Sequence, residues 1–410
     1  MENIPKAEQV VRRIWSFSKA LDLALVDEEV KKGFELEIGY RHGERVGYIS
    51  VRLGHILGLR DKDLFLLLIA GLMHDIGTVG GFAEYHGNYR LMKEHSEIGA
   101  RILSDFPGGE ILEEAVRHHH QTPSDHQIDS IMPKIISLSD KVDIIMGRGI
   151  ISYKDRARIL NHINSMTDKD FYPEVAQAFS KLVGEEAFWL SLNEGILLEP
   201  TLDFLFGERC IQDCSRFSDI CDDIYGEVFT DRLAETFGNL IDQKSSFTGR
   251  HSRTVSGIAV ALAEELAWNP KEVRDIRLAG FLHDFGKLAV PKKILDKPGL
   301  LDHDELMIIK SHAYHTYKLL SSAAFPKNIV EWAAYHHERL DGRGYPFRLE
   351  AQYITTGSRL MTIADIYTAL TEERPYRKPL SKEKALSILE KGVGISVDGK
   401  LLAIAKRVLL

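Results

Sequence analysis

VRDIRLAGFLHDFGK (273–287) decides the fold. Val273, Ile276 and Ala279 recur at the spacing of one helix face, and the run ends on a His-Asp doublet, His283-Asp284. Laid back by 209 positions (251 − 42), the stretch 251–284 falls on 42–75 without a gap. His251 then pairs with His42, Ala279-Gly280 with Ala70-Gly71, and His283-Asp284 with His74-Asp75. With gaps, IIKSHAYHTYKLL (308–320) follows MKEHSEIGARIL (92–103), pairing His312 with His95. AAYHHE (333–338) follows AVRHHH (115–120), which sets His336-His337 against His118-His119. TIADIYTAL (362–370) follows SLSDKVDIIM (137–146), pairing Asp365 with Asp140. The order His, His-Asp, His, His-His, Asp is thus written twice.

Helical spacing dominates elsewhere, as in VSGIAVALAEELAW (255–268) and LMIIKSHAYHTYKLLSSA (306–323). Asn269-Pro270 marks a break, and Asp302-His303-Asp304-Glu305 reads as a helix start with an acidic first turn. Strand-type alternation is scarce. The expected fold class is all-α: two tandem helical modules, 1–150 and 241–410, joined by a helical connector at 151–240. A length of 410 residues suits more than one core. A net charge of -8 argues against a nucleic-acid polymer or a membrane surface as the general partner. No apolar run reaches the length of a membrane span, and MENIPKAEQVVRRIW has no signal-peptide core, so the expected location is cytoplasmic. Three cysteines, Cys210, Cys214 and Cys221, rule out a disulfide framework. Their spacing puts them near one helix face, where cysteine packs as a small hydrophobe and a three-thiolate site lacks a fourth ligand.

Imidazole and carboxylate together suit Fe, Mn, Zn or Co better than Ca or Mg. In the second half, His251, His283 and Asp365 are expected on one ion. His312, His336 and His337 are expected on another, with the two oxygens of Asp284 bridging. Adjacent histidines diverge on a helix, so His336 and His337 need a helix end or turn to share an ion. Two ions about 3.5–4 Å apart supply a water nucleophile and neutralise a phosphoryl transition state.

HDFGK (283–287) with HHERLDGRGYP (336–346) resembles the HD superfamily of metal-dependent phosphohydrolases, in its HD-GYP branch of cyclic-di-GMP phosphodiesterases. The resemblance spans about 240–400, including ADIYTALTEERPYRKPLS (364–381), and a plain HD domain resembles about 35–146. It implies two divalent ions, Fe or Mn, and hydrolysis of cyclic di-GMP to pGpG and on to GMP. It implies Asp284 and Lys287 in catalysis, and Lys287, Arg374 and Arg377 on substrate phosphates. Gly344, Tyr345 and Pro346 would shape a loop beside the second ion or meet a partner protein. Lys287 would share a helix face with His283 if the helix continues. The sequence leaves open 3′,3′-cyclic GMP-AMP as the substrate, and a non-catalytic metal or cyclic-dinucleotide scaffold. It leaves open a homodimer or signalling partner as well.

This chain departs from the family at Phe247, where some members carry a third-ion Glu, and at Thr316, usually Gly. His315 reads as a packing residue. The first half holds His42, His74, Asp75, His95, His118, His119 and Asp140 as a possible second metal site. It has Thr78 in place of the Lys and no Gly-Tyr-Pro turn. Its His-His to Asp spacing is 22 residues (118 to 140) against 29 (336 to 365). A regulatory relic, a second phosphohydrolase and a metal or redox sensor all fit it.

Overall fold

The structure, a computed structural model, describes residues 6–25, 41–78, 89–125, 128–147, 151–194, 197–206, 226–244, 250–373 and 378–410. The class is all-α as expected. Among the described residues there are nineteen α-helices, and β pairing is confined to three isolated bridges.

Two compact units divide the chain, Met1–Thr230 and Asp231–Leu410. The first holds α1 (Lys6–Leu25), α2 (His42–Ile56), α3 (Asp61–Met73), α4 (Tyr89–Ser104), α5 (Gly109–Arg117), α6 (Ile131–Met146), α7 (Tyr153–Ser165), α8 (Pro173–Leu182), α9 (Glu186–Glu194) and α10 (Leu198–Phe206). The second begins inside α11 (Glu227–Lys244). It continues with α12 (His251–Glu265), α13 (Pro270–Leu282), α14 (Lys292–Leu295), α15 (His303–Ser322), α16 (Lys327–Ala334), α17 (Thr356–Thr371), α18 (Lys382–Lys391) and α19 (Gly399–Leu409).

Local chemistry explains where the helices start. Asn269 accepts the Glu272 N–H, Glu272 returns the bond, and Pro270 opens α13. Asp302 and Glu305 do the same for α15. The helices α2 and α12 begin on the first histidine of each set and have no side-chain cap of their own. A buried carboxylate from the preceding helix serves instead: Asp22 accepts the Gly43 N–H at 3.2 Å, and Asp242 accepts the Ser252 N–H at 2.9 Å. Each first histidine is thereby pinned to the core by a helix the repeat alignment did not include.

The duplication also runs further than the sequence match. After α7 the chain turns through a Thr167–Phe171 bridge with Asp168 at φ 67°. After α18 it turns through a Val393–Val397 bridge with Gly394 at φ 79°. The pairs α7–α8 and α18–α19 are therefore counterparts, and residues 151–182 fold as part of the first unit. In the second unit, α18 and α19 close a core of Leu262, Leu360, Ile363, Leu386, Leu389 and Leu402. Burying each such leucine stabilises the unit by about 1.5–3 kcal/mol, and this core holds α12 and α17, which carry His251 and Asp365.

Candidate metal centres

In the second unit, α13 ends at Leu282 with His283 as its C-cap, and Asp284 leads into a 3₁₀ turn, Phe285–Ala289. The turn lies hard against α15. A Cβ on Gly286 would come 2.0 Å from the His312 carbonyl oxygen, so only glycine fits there. Thr316 closes the junction: its hydroxyl accepts the Gly286 N–H at 2.8 Å and donates to the His283 carbonyl at 3.1 Å. The threonine that departs from the family is thus a structural stitch. His315, next to it, is half-buried and outside the ligand clusters.

The helix does not continue to Lys287. The 3₁₀ turn swings its ammonium onto Asp284 Oδ2 instead of the His283 face. His336 and His337 lie in the turn after α16, where the backbone lets both rings face the same point.

Ligand atoms of His251, His283 and Asp365 lie within 4.8 Å of one another, and so do those of His312, His336 and His337. Asp284 lies between the trios. Its Oδ2 is 3.3 Å from His283 Nε2 and 4.0 Å from His251 Nε2. Its Oδ1 is 3.4 Å from His312 Nε2 and 3.9 Å from His336 Nε2. Asp365 Oδ1 is 3.3 Å from His251 Nε2.

These residues fit divalent ions on chemical grounds. The Nδ1 atoms of His283, His312 and His336 lie 2.8, 2.6 and 2.7 Å from the carbonyls of Gly280, Ile309 and Ala333. A carbonyl only accepts, so Nδ1 carries the proton and Nε2 presents a lone pair. All three Nε2 atoms are buried without a hydrogen-bond partner, and all face a carboxylate. Lone pairs aimed at a carboxylate need a cation between them. Metal–ligand bonds of about 2.0–2.2 Å meeting at 90–110° leave donor atoms about 3–3.5 Å apart, close to the gaps seen.

Burial pushes His312 down to about 3 and His337 down to about 4, so both are neutral donors. Burial raises the Asp284 carboxyl, but Lys287, His283 and His312 outweigh it and hold it well below its usual range. His251 is opposite in sense. Burial lowers it, yet Asp365 and Glu372 raise it to about 9.

The first unit repeats this cage. Asp75 Oδ2 is 3.5 Å from His42 Nε2 and 3.4 Å from His74 Nε2, while its Oδ1 is 3.3 Å from His95 Nε2. Asp140 Oδ1 is 3.4 Å from His42 Nε2. The expected His118-His119 pair is wrong by one residue. Helix α5 ends at Arg117 and His118 is its C-cap, as Tyr335 is for α16. His119 Nδ1 lies 2.6 Å from the Val116 carbonyl, just as His336 meets Ala333. The cluster is Asp75, His95, His119 and His120, and His118 stays outside it. The apolar pair Leu112 and Val116, laid on Ile329 and Ala333, carried the correct register.

Sequence reasoning also missed the carboxylates that hold the first histidines. His251 Nδ1 is 3.0 Å from Glu372, and His42 Nδ1 is 2.7 Å from Asp143, which Arg45 grips in turn. Thr78, in the Lys287 position, turns its hydroxyl back to the Asp75 carbonyl at 2.6 Å. The loop after His337 is held by Glu338. A Cβ on Gly344 would lie 2.4 Å from the Arg339 nitrogen, and Tyr345 sets its ring 4.7 Å from that of His337. Gly344, Tyr345 and Pro346 therefore lie beside the second trio. Arg374, Arg377, Phe247 and the three cysteines lie outside the described residues.

Residues 39–145 match the family model described as HD domain, and residues 235–405 match a second model with the same description. A 3′3′-cGAMP-specific phosphodiesterase of Vibrio cholerae is 28% identical over 85% of this chain and 82% of its own length. A cyclic di-GMP phosphodiesterase of Pseudomonas aeruginosa is 36% identical over 42% of this chain, a match that spans 42% of that relative. The crystal structure of a cyclic GMP-AMP-specific phosphodiesterase of V. cholerae shares the fold, with a TM-score of 0.60 at 21% identity over 98% of this chain and 97% of that one.

Proposed function

We propose that this chain, a tandem of two HD domains, is a metal-dependent phosphodiesterase that opens a 3′,3′-cyclic dinucleotide at its second unit. The observation that carries the reading is the placement of Asp284, one oxygen facing each trio of donors. Asp284, His251, His283, Asp365, His312, His336 and His337 would hold two divalent ions, Fe or Mn in our reading, which would supply Lewis acidity and an activated water there. Lys287 sits at the edge of the cage as a compact positive charge for a phosphate oxygen. Water adds to phosphorus and the P–O3′ bond breaks, leaving a linear dinucleotide with a 5′-phosphate, pGpG from cyclic di-GMP. We assign Arg374 and Arg377 to phosphate contacts on the family resemblance alone. Among the described residues no helix is long and apolar enough to cross a membrane, and we place the activity in the cytoplasm.

Cyclic GMP-AMP is favoured over cyclic di-GMP by one observation. A relative similar over 85% of the chain is named a 3′3′-cGAMP-specific phosphodiesterase, whereas the cyclic di-GMP phosphodiesterase of P. aeruginosa matches 42% of the chain. The test is anaerobic incubation of Fe(II)- or Mn(II)-loaded protein with each nucleotide, with products separated by chromatography. Linear product is expected from both, faster from cyclic GMP-AMP. No product from protein holding about two ions in the second unit would overturn the reading in favour of a signalling scaffold.

A further inference from the structure

A cavity of about 510 Å³ in the second unit adjoins the cage without being part of it. That volume falls within the roughly 300–1,000 Å³ of small-molecule sites. Its walls include Lys310, Ser311, Arg343, Tyr345 and Arg348. Two of these tie it to the metal cage: Ser311 precedes His312, and the Tyr345 ring lies 4.7 Å from His337 and 6.3 Å from His312.

Its charge is one-sided. Among the described residues, no carboxylate lies within ion-pair distance of the Lys310, Arg343 or Arg348 side chains, and the nearby Asp341 is engaged by Arg339 at 2.6 Å. Lys310 and Arg348, with Arg343 offset in part by nearby Asp341, concentrate a positive field on one cavity of a chain of net charge -8, where a polyanion would enter. The aromatic face is also charged from above, with Lys310 Nζ 5.6 Å from the Tyr345 ring centre.

The backbone supplies a further, independent sign. Arg348 has φ 56°, in the left-handed region where glycine sits without strain and a branched-off side chain does not. The conformation is imposed from both sides. Buried Glu338 accepts the Phe347 N–H at 2.7 Å on one oxygen and the Leu349 N–H at 2.9 Å on the other. Strain that is over-determined by its surroundings and that aims a charged group into a cavity is the pattern of a ligand clamp.

We infer that this cavity seats the half of the cyclic dinucleotide that is not cut, its phosphate on Lys310 and Arg348 and its base between Tyr345 and Arg343. The inference rests on the phosphodiesterase reading above and names where that substrate's second nucleotide goes. A forked guanidinium suits a phosphate or the O6/N7 edge of guanine, and a tyrosine face suits any base. Both proposed substrates carry at least one guanine, so the cavity is a shared subsite.

The test separates binding from turnover. Cyclic GMP-AMP and cyclic di-GMP are titrated by calorimetry into protein stripped with EDTA, as wild type, Arg343→Ala and Arg348→Gly. Arg348→Gly relaxes the left-handed backbone, so its fold is at least as stable as wild type, which thermal melting checks. Binding weaker by about tenfold in each variant is the expected result. Unchanged affinity in both variants, or no binding by the wild type, overturns the subsite. Binding by the wild type that both variants weaken, with no hydrolysis by the metal-loaded protein, sinks the phosphodiesterase reading and leaves the subsite standing.

Discussion

The two cages differ less in their ligands than in what surrounds them. Each has a central aspartate, Asp75 or Asp284, with its two oxygens facing separate sets of imidazoles. Each has its first histidine gripped at Nδ1 by a carboxylate. The second unit adds a lysine on the bridging aspartate, a Gly-Tyr-Pro loop and a basic cavity. At the lysine position the first unit has a threonine folded back on its own backbone. In our reading, holding metal and recognising a phosphodiester are separable properties of this fold, written in different residues.

The harshest way to break that comparison is to remove the bridge from each side. Asp284→Ala should abolish cyclic-dinucleotide hydrolysis, by about a thousandfold or more, while Asp75→Ala leaves it within about twofold. Turnover with a melting curve for each variant checks this, and equal losses would mean the first cage takes part in the chemistry. The next largest effect tests the orienting carboxylates. Glu372→Ala should weaken metal binding in the second unit by about 10–100-fold and Asp143→Ala should do so in the first, as read by competition with a chelating dye. Loss of metal from neither would make these contacts incidental.

Lys287→Ala should lower kcat/KM by about tenfold with metal content unchanged, since a charge-assisted contact to phosphate is lost and no ligand is. Thr78→Lys should not confer hydrolysis on the first unit, because its sequence still has no Gly-Tyr-Pro turn after the histidines. The smallest effect sharpens the register. His120→Ala should remove metal from the first unit, whereas His118→Ala should change its content by less than about a tenth, within the error of elemental analysis. Loss of metal in His118→Ala with none in His120→Ala would restore the pairing read from the sequence.

Much of this was legible before any coordinates. Helical spacing around His283-Asp284 gave the class, and the repeated order of ligands gave two cages. Three identical residues in a row, His118-His119-His120, carry no internal mark of register, so the alignment slipped by one there. The orienting carboxylates were hidden for a different reason. Asp143 follows Asp140 by one helical turn, while Glu372 follows Asp365 by two, so the same contact is made at unlike sequence positions. The counterpart helices α7–α8 were hidden because their turn keeps backbone shape and not side chains: Asp168 and Gly394 share only a positive φ. The condition for Lys287 to share the His283 face, a continuing helix, fails because a 3₁₀ turn, set by the closeness of Gly286 to α15, interrupts the helical count.

The carbonyls that lock the imidazoles have a consequence for how such a protein ages. Gly71, Val116, Gly280 and Ala333 all belong to the last turn of their helices, where carbonyl oxygens have no partner further along the chain. His74, His119, His283 and His336 each satisfy one of them. These histidines are thus helix terminators as well as candidate metal ligands, and exchanging one loosens a helix end even in a copy that does not turn over substrate. After duplication, a silent copy would keep its histidines for the sake of its fold while shedding its lysine and its loop. The first unit has that inventory, so its intact cage is not by itself evidence of catalysis there.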